Sequence, residues 1–391
     1  MTHTRRLTTL LVFAILLLPP TACAAVGGVA TPRAQIGVPR ALDGSKLPPA
    51  PAHSEVREVG KEKIFRGYVD KYPARMTLRR TPGGRLSGSY SYEGRAGSLA
   101  LKGALDAKGN FTLEEFDGAK QTGAFKGTWR EKEYEPEASI SGDWTKASGG
   151  AATYFYFVEQ PAPAGAAVTT KQIKEVNKKR GYEINVEYPQ VEGAGKFNAL
   201  AEGFAAKEVA DFKKDAGREP GEKDFMPEAG DDSLNVAYYV RSATPELTSV
   251  EFAMDYYEHG AAHPSHAFHV INYDAKAGRE LRLADLFRPG SAYLKRISEV
   301  AVRQLRRWNK DSAEYAGGAG EPYLTDEGIN EGAAPKDENY KNWTLTPRGL
   351  VVTFDYYQLG AYAAGAPKVV LPYADLKDVI RADGPLAPLP K

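Results

Sequence analysis

Between Lys63 and Glu159 apolar residues recur in short alternating runs that glycines close, and no stretch carries the three-to-four spacing of a helix. A period of two puts one face of each run in a core and the other in water. Such a chain folds only by pairing its runs into a sheet that curls on itself or packs on a second one. A Gly-x-aromatic unit occurs three times, as Gly88-Ser89-Tyr90, Gly127-Thr128-Trp129 and Gly142-Asp143-Trp144. In a strand, a glycine and the ring two residues on share a face, so the glycine leaves room for neighbouring rings and lets the sheet bend. Pro82-Gly83-Gly84 and Lys108-Gly109-Asn110 read as turns. Residues 61–160 are therefore predicted to form an all-β unit, a small antiparallel barrel or sandwich.

The periods are mixed in residues 166–382. Tyr182, Ile184, Val186 and Tyr188 alternate, as do Leu234 to Val240 and Val250 to Tyr256, whereas Phe197, Ala201, Phe204, Val209 and Phe212 fall at helical spacing, as do Leu294, Ile297, Ala301, Leu305 and Trp308. Ser291, behind Pro289-Gly290, is placed to cap the second helix. Leu350 to Tyr356 reads as a further strand, followed by Val369 to Leu371. This order predicts an α+β domain in which helices pack on an antiparallel sheet. The Pro/Ala/Gly break at 161–165 separates the two folded regions, and 383–391 reads as a Pro-rich tail.

Arg5 and Arg6, the apolar run Leu10 to Leu18 and the small residues around Ala22 give residues 1–24 the three zones of a secretory signal peptide. Residues 25–60 lack apolar periodicity and read as a disordered tether. Cys23, the one cysteine, leaves two routes open. Either Ala22-Cys23-Ala24 is cleaved as an Ala-x-Ala site, or Cys23 becomes a lipidated first residue; with neither route can a disulfide form. No later stretch reads as a membrane span, so the membrane is reached only through that lipid. With 51 basic and 50 acidic residues the net charge is +1, which argues against a nucleic-acid partner. Arg303, Arg306 and Arg307 read as a solvated helix face able to make a local anionic contact.

The heptad Asp-Tyr-Tyr-x-x-Gly-Ala is written twice, at Asp255 to Ala261 and at Asp355 to Ala361, each time where an alternating run gives way to a Gly/Ala-rich one. Both copies read as a strand delivering tyrosines to a rim. Tyr256, Tyr257, Tyr356, Tyr357 and Tyr362 offer broad apolar area with polar tips, which suits protein or carbohydrate contact. Because adjacent strand residues face opposite ways, one tyrosine of each pair is expected in the core. The first copy runs into His259, His263, His266 and His269, which invites a zinc reading. Gly260 and Pro264 oppose a helix that would align His259 with His263. On a strand, His266 and His269 would point to opposite faces. The preferred reading is that His259, His263 and His266 are polar ligand-binding groups with no metal or other cofactor. Neither Gly230-Asp231-Asp232-Ser233-Leu234 nor Ser265 beside His266 has the surroundings of a catalytic nucleophile, so no enzyme is expected.

Tyr257-Glu258-His259-Gly260-Ala261-Ala262-His263-Pro264, then Asn272-Tyr273-Asp274 with Gly278, Leu283 and Asp285-Leu286-Phe287, resembles the signature of the extracytoplasmic PdaC/RsiV-like domain family. Phe354 to Gly365, with Leu371-Pro372-Tyr373 and Leu376, resembles its closing segment, and Tyr188-Pro189-Gln190 with Phe197-Asn198 its opening. The likeness spans most of Thr169 to Ala382. In that family the domain stands beside a peptidoglycan deacetylase domain, or forms the outer part of a lysozyme-binding anti-sigma factor. The resemblance thus implies an exported recognition module of the periplasm or cell envelope, with peptidoglycan or a lysozyme-like cell-wall enzyme as partner. The deacetylase metal block is not matched, since Thr353-Phe354-Asp355-Tyr356 lacks its second aspartate. A metal-dependent envelope hydrolase using His259 and His263 is the alternative.

Overall fold

In a computed structural model the structure describes residues 60, 62–70, 72–92, 95–160, 166–218, 230–315 and 322–386. The signal peptide, the tether, Cys23 and the end of the tail lie outside the described residues. Among those described, no helix is long and apolar enough to cross a membrane.

Eight strands, β1 (Glu62–Val69), β2 (Tyr72–Arg80), β3 (Arg85–Tyr92), β4 (Leu99–Leu105), β5 (Asn110–Asp117), β6 (Lys120–Arg130), β7 (Ser139–Lys146) and β8 (Thr153–Gln160), follow one another around a closed antiparallel barrel in which β8 returns to β1. The inward positions, among them Phe65, Tyr90, Phe125, Trp129, Phe155 and Phe157, are buried, so side chains fill the barrel. The repeated glycines serve closure in a way the sequence reading did not foresee. A Cβ at Gly88 would lie 1.8 Å from the Thr77 carbonyl oxygen and one at Gly127 2.0 Å from that of Ser141. The space they leave is taken by the backbone of the neighbouring strand as the sheet coils, and not by a ring.

The second region is α+β. Its main sheet joins β9 (Val168–Asn177), β10 (Tyr182–Val191), β11 (Asp232–Ala243), β12 (Leu247–Tyr257), β13 (Ser265–Asp274) and β14 (Arg279–Glu280) in spatial order 14-13-12-11-10-9. One pairing, β10 with β11, is parallel, because α1 (Gly195–Asp215) lies between them and carries the chain back to the end where β10 began. Phe197, Ala201, Ala205 and Val209 of α1 pack on Val250, Phe252 and Met254 of β12. A second core gathers α2 (Tyr293–Tyr315), α3 (Asp326–Gly332), α4 (Tyr373–Leu376) and a small sheet of β15 (Trp343–Leu345), β16 (Gly349–Thr353) and β17 (Lys368–Pro372). Ser291 does not cap α2; its hydroxyl donates to the Arg288 carbonyl at 2.7 Å and closes the turn before the helix.

A buried relay docks the small sheet on the main one. Ser249 Oγ donates to Asn272 Oδ1 (2.5 Å), Asn272 Nδ2 to the Trp343 carbonyl (2.8 Å), and the Leu345 amide to Ser249 Oγ (2.8 Å). Beside it Glu251 accepts from Thr353 Oγ1 at 2.5 Å and pairs with Lys368 and Arg241. The loop between β6 and β7 reaches out of the barrel into this region. Tyr134 is 2% exposed, its hydroxyl donates to Asp311, and its carbonyl accepts the Val370 amide at 2.9 Å. Arg348 donates to the Glu135 and Pro136 carbonyls, both at 2.8 Å, and Arg241 pairs with Glu137.

Candidate functional site

Alternation along β12 decides which residues of the first heptad meet the second. Val250, Phe252 and Met254 face α1, and Tyr256 follows them: its hydroxyl donates to Glu208 Oε2 at 2.6 Å. Asp255 faces the other way and stands opposite His266 in the β12–β13 ladder. The carboxylate only accepts, so His266 Nδ1–H donates to Asp255 Oδ1 (2.5 Å), and in the neutral ring Nε2 accepts from the Tyr362 hydroxyl (2.7 Å). Three residues, Asp255, His266 and Tyr362, are thereby wired in line across the junction of the two heptads.

The second heptad is not carried on a strand. β16 ends at Thr353, short of the expected Tyr356, because the Phe354 amide donates to the Pro367 carbonyl (3.0 Å) and the Asp355 amide to Gln358 Oε1 (2.9 Å), which closes a turn. Asp355 is held in place by Asn342 Nδ2 and Lys341 Nζ, each at 2.7 Å. This turn leaves Tyr357 at φ +64° with 62% of its surface exposed. Positive φ is costly for a bulky residue, so the backbone strain is spent on presenting that ring outward.

The rings form a ledge. His266 stacks on Tyr356 at 4.2 Å between centroids, His263 stacks on Tyr362 at 4.1 Å, and Tyr362 lies 5.2 Å from Tyr356 and 5.8 Å from Tyr357. Burial, with the Tyr362 hydroxyl and the Asp255 charge behind it, pushes the Tyr356 hydroxyl up to about 12, and burial also raises Tyr362. Both phenols therefore remain protonated donors at neutral pH. The ledge offers stacked faces edged by phenol, imidazole and carboxylate groups.

Of the residues singled out in the sequence, His263, His266, Tyr356, Tyr357 and Tyr362 come together. Tyr256 lies on the opposite face of the sheet. Tyr257 pairs with Ser233 along β11, and His259 is tied to the same flank, its amide donating to Asp232 Oδ1 (2.6 Å) and its Nδ1–H to the Gly230 carbonyl (2.9 Å). His269 is on the α1 face, stacked on Phe204 at 4.3 Å, opposite to His266 as the strand alternation predicts. Asp255, the first residue of the heptad, is the organising acid. Among the described residues no three His, Cys, Asp or Glu side chains converge as a metal site, and both ring nitrogens of His266 are already engaged.

Fold and site define a closed β-barrel joined to an α+β domain with an aromatic ledge, and that domain is similar to the PdaC/RsiV-like family. Residues 284–374 match the model of the family described as "Protein of unknown function (DUF3298)". Peptidoglycan-N-acetylmuramic acid deacetylase PdaC of Bacillus subtilis is 27% identical over 206 residues, covering 53% of this chain and 40% of that protein; the chain thus spans well under half of this relative's length. Among solved structures, a DUF3298 family protein from Pseudomonas aeruginosa PAO1 is 17% identical, with 56% of this chain and 95% of the other covered and a TM-score of 0.37. A family member from Bacteroides fragilis is 15% identical, with 58% and 98% covered and a TM-score of 0.37. The family match begins in the turn before α2 and ends in α4, narrower than the span over which the sequence resembles the family.

Proposed function

We propose that this chain is an exported, non-catalytic envelope protein that recognises peptidoglycan glycan through the ledge of His263, His266, Tyr356, Tyr357 and Tyr362. The observation that carries the reading is Tyr357, an aromatic residue held in a strained backbone conformation with its ring presented to solvent beside four other rings. Sugar rings lie flat on aromatic faces while their hydroxyls reach polar groups at the edge, and the ledge supplies both. The relationship to a deacetylase acting on peptidoglycan N-acetylmuramic acid favours the same polymer as ligand and the envelope as location. A lysozyme-like protein is the second ligand class to test.

Co-sedimentation with purified peptidoglycan, run in parallel with capture on immobilised lysozyme, tests this reading. Tyr357→Ala and Tyr362→Ala are expected to weaken binding to peptidoglycan at least about tenfold, the scale of an aromatic hot spot. Tyr72→Ala, on the exposed face of the barrel, serves as control. Retention of wild-type binding by both ledge variants would remove the ledge from the account.

A further inference from the structure

Away from the ledge, a cavity of about 310 Å³ opens where the β6–β7 loop of the barrel meets α2, β17 and α4. Its walls are Arg303, Gln304 and Arg307 of α2, Arg348 of the β15–β16 turn, Asp375 of α4 and Glu133 of the barrel loop, over a floor of Val370 and Pro372. The volume is at the lower end for small-molecule sites. Arg303 donates to Asp375 Oδ2 at 2.6 Å, and Arg307 pairs with Glu133, so each carboxylate on the rim already orients a guanidinium. Three guanidinium groups and two carboxylates line one small space, and both ion pairs are partly open, with Arg303 49% and Asp375 38% exposed.

We propose that this cavity binds a small zwitterion of the amino-acid or dipeptide class. A guanidinium fork takes a carboxylate by two parallel hydrogen bonds. Glu133 and Asp375, on the rim beside these guanidinium groups, accept the ammonium and disfavour a dianion such as phosphate, and the Val370–Pro372 floor suits a small aliphatic side chain. Because Glu133 comes from the barrel, the site exists only while the two regions are docked. This gives the barrel a share in a second binding event, independent of the ledge.

Titration calorimetry of the full chain at low salt with the dipeptide Ala-Ala tests the assignment. The comparison probes are its C-terminal amide, its N-acetyl derivative and inorganic phosphate. Ala-Ala is expected to bind, and loss of either terminal charge to weaken it at least tenfold. Arg303→Gln, at an exposed position, and Asp375→Asn, at a half-buried one, are expected to do the same while the thermal transition is unchanged. Absence of Ala-Ala binding at millimolar concentration would overturn the proposal, as would equal binding of the amide or phosphate binding as tightly as the dipeptide. If a variant fails to fold, the four probes on the wild-type chain still decide.

Discussion

At the scale of single residues, Glu251 ties the strand that leads into the second heptad to the main sheet. It is buried between the two sheets of the α+β domain and holds Thr353, the last residue of β16, together with Lys368 and Arg241. Burial alone would raise its carboxyl, but Lys368 and Arg241 outweigh that and hold it down to about 2. An unfolded glutamate titrates near ~4.3, so the stabilisation is complete above that pH and is lost as pH falls towards 2. Glu251→Gln is expected to cost about 3–5 kcal/mol at neutral pH, since it leaves buried cations short of a partner, and to flatten the acid side of the stability curve. Urea denaturation of both proteins between pH 2 and 7 checks this; parallel curves would show that Glu251 does not set the acid response.

At the scale of elements, α1 is held to the sheet by an apolar stripe and by a ring stack that titrates. His269 lies flat on Phe204, and burial pushes its imidazole down, with Glu208 opposing in part. The unfolded state therefore takes up a proton first as pH falls below about 6.5, and stability decreases from there until the folded ring also titrates. His269→Phe keeps the stack and removes the titration, so its stability should stay level between pH 7 and 5 while that of the wild type falls. A wild-type melting temperature constant over that range would refute this. The position of the ledge residue His266, three residues before His269 and on the opposite face of the sheet, is expected to be insensitive to this substitution.

At the scale of the whole molecule, the β6–β7 loop makes the barrel part of the α+β domain's packing. Tyr134 lies beneath Arg307, hydrogen-bonds Asp311, and pairs by its carbonyl with β17, while Glu137 meets buried Arg241. A second tie, Arg66 to Glu187 at 2.5 Å, joins β1 to β10. Tyr134→Ala is expected to remove about 3–5 kcal/mol from this junction without touching the barrel's own aromatic core. Calorimetry should then resolve two unfolding transitions where the wild type has one. An unchanged single transition would mean that the loop does not couple the two regions.

The local terms were legible in the sequence because each depends on near neighbours along the chain. Period-two runs closed by glycine announced an all-β unit, barrel or sandwich, the spacing of Phe197, Ala201 and Phe204 announced α1, and strand alternation placed His266 and His269 on opposite faces. The family resemblance was legible too, and many of its residues are structural: Asn272 bridges the sheets, Asp285 closes a turn on the Arg282 amide, and Leu286, Phe287, Leu371 and Leu376 are core. What the heptads do was not legible, because identical letters meet different surroundings. Tyr256 is turned to Glu208, while Tyr356 lies on His266. The sequence by itself determined which long segments alternate and which coil into α1 and α2. Only the tertiary structure decided that Asp255, His266 and Tyr362 lie in one line and that Glu133 closes a cavity in another region, since both follow from long-range burial that brings together residues nearly a hundred or more positions apart.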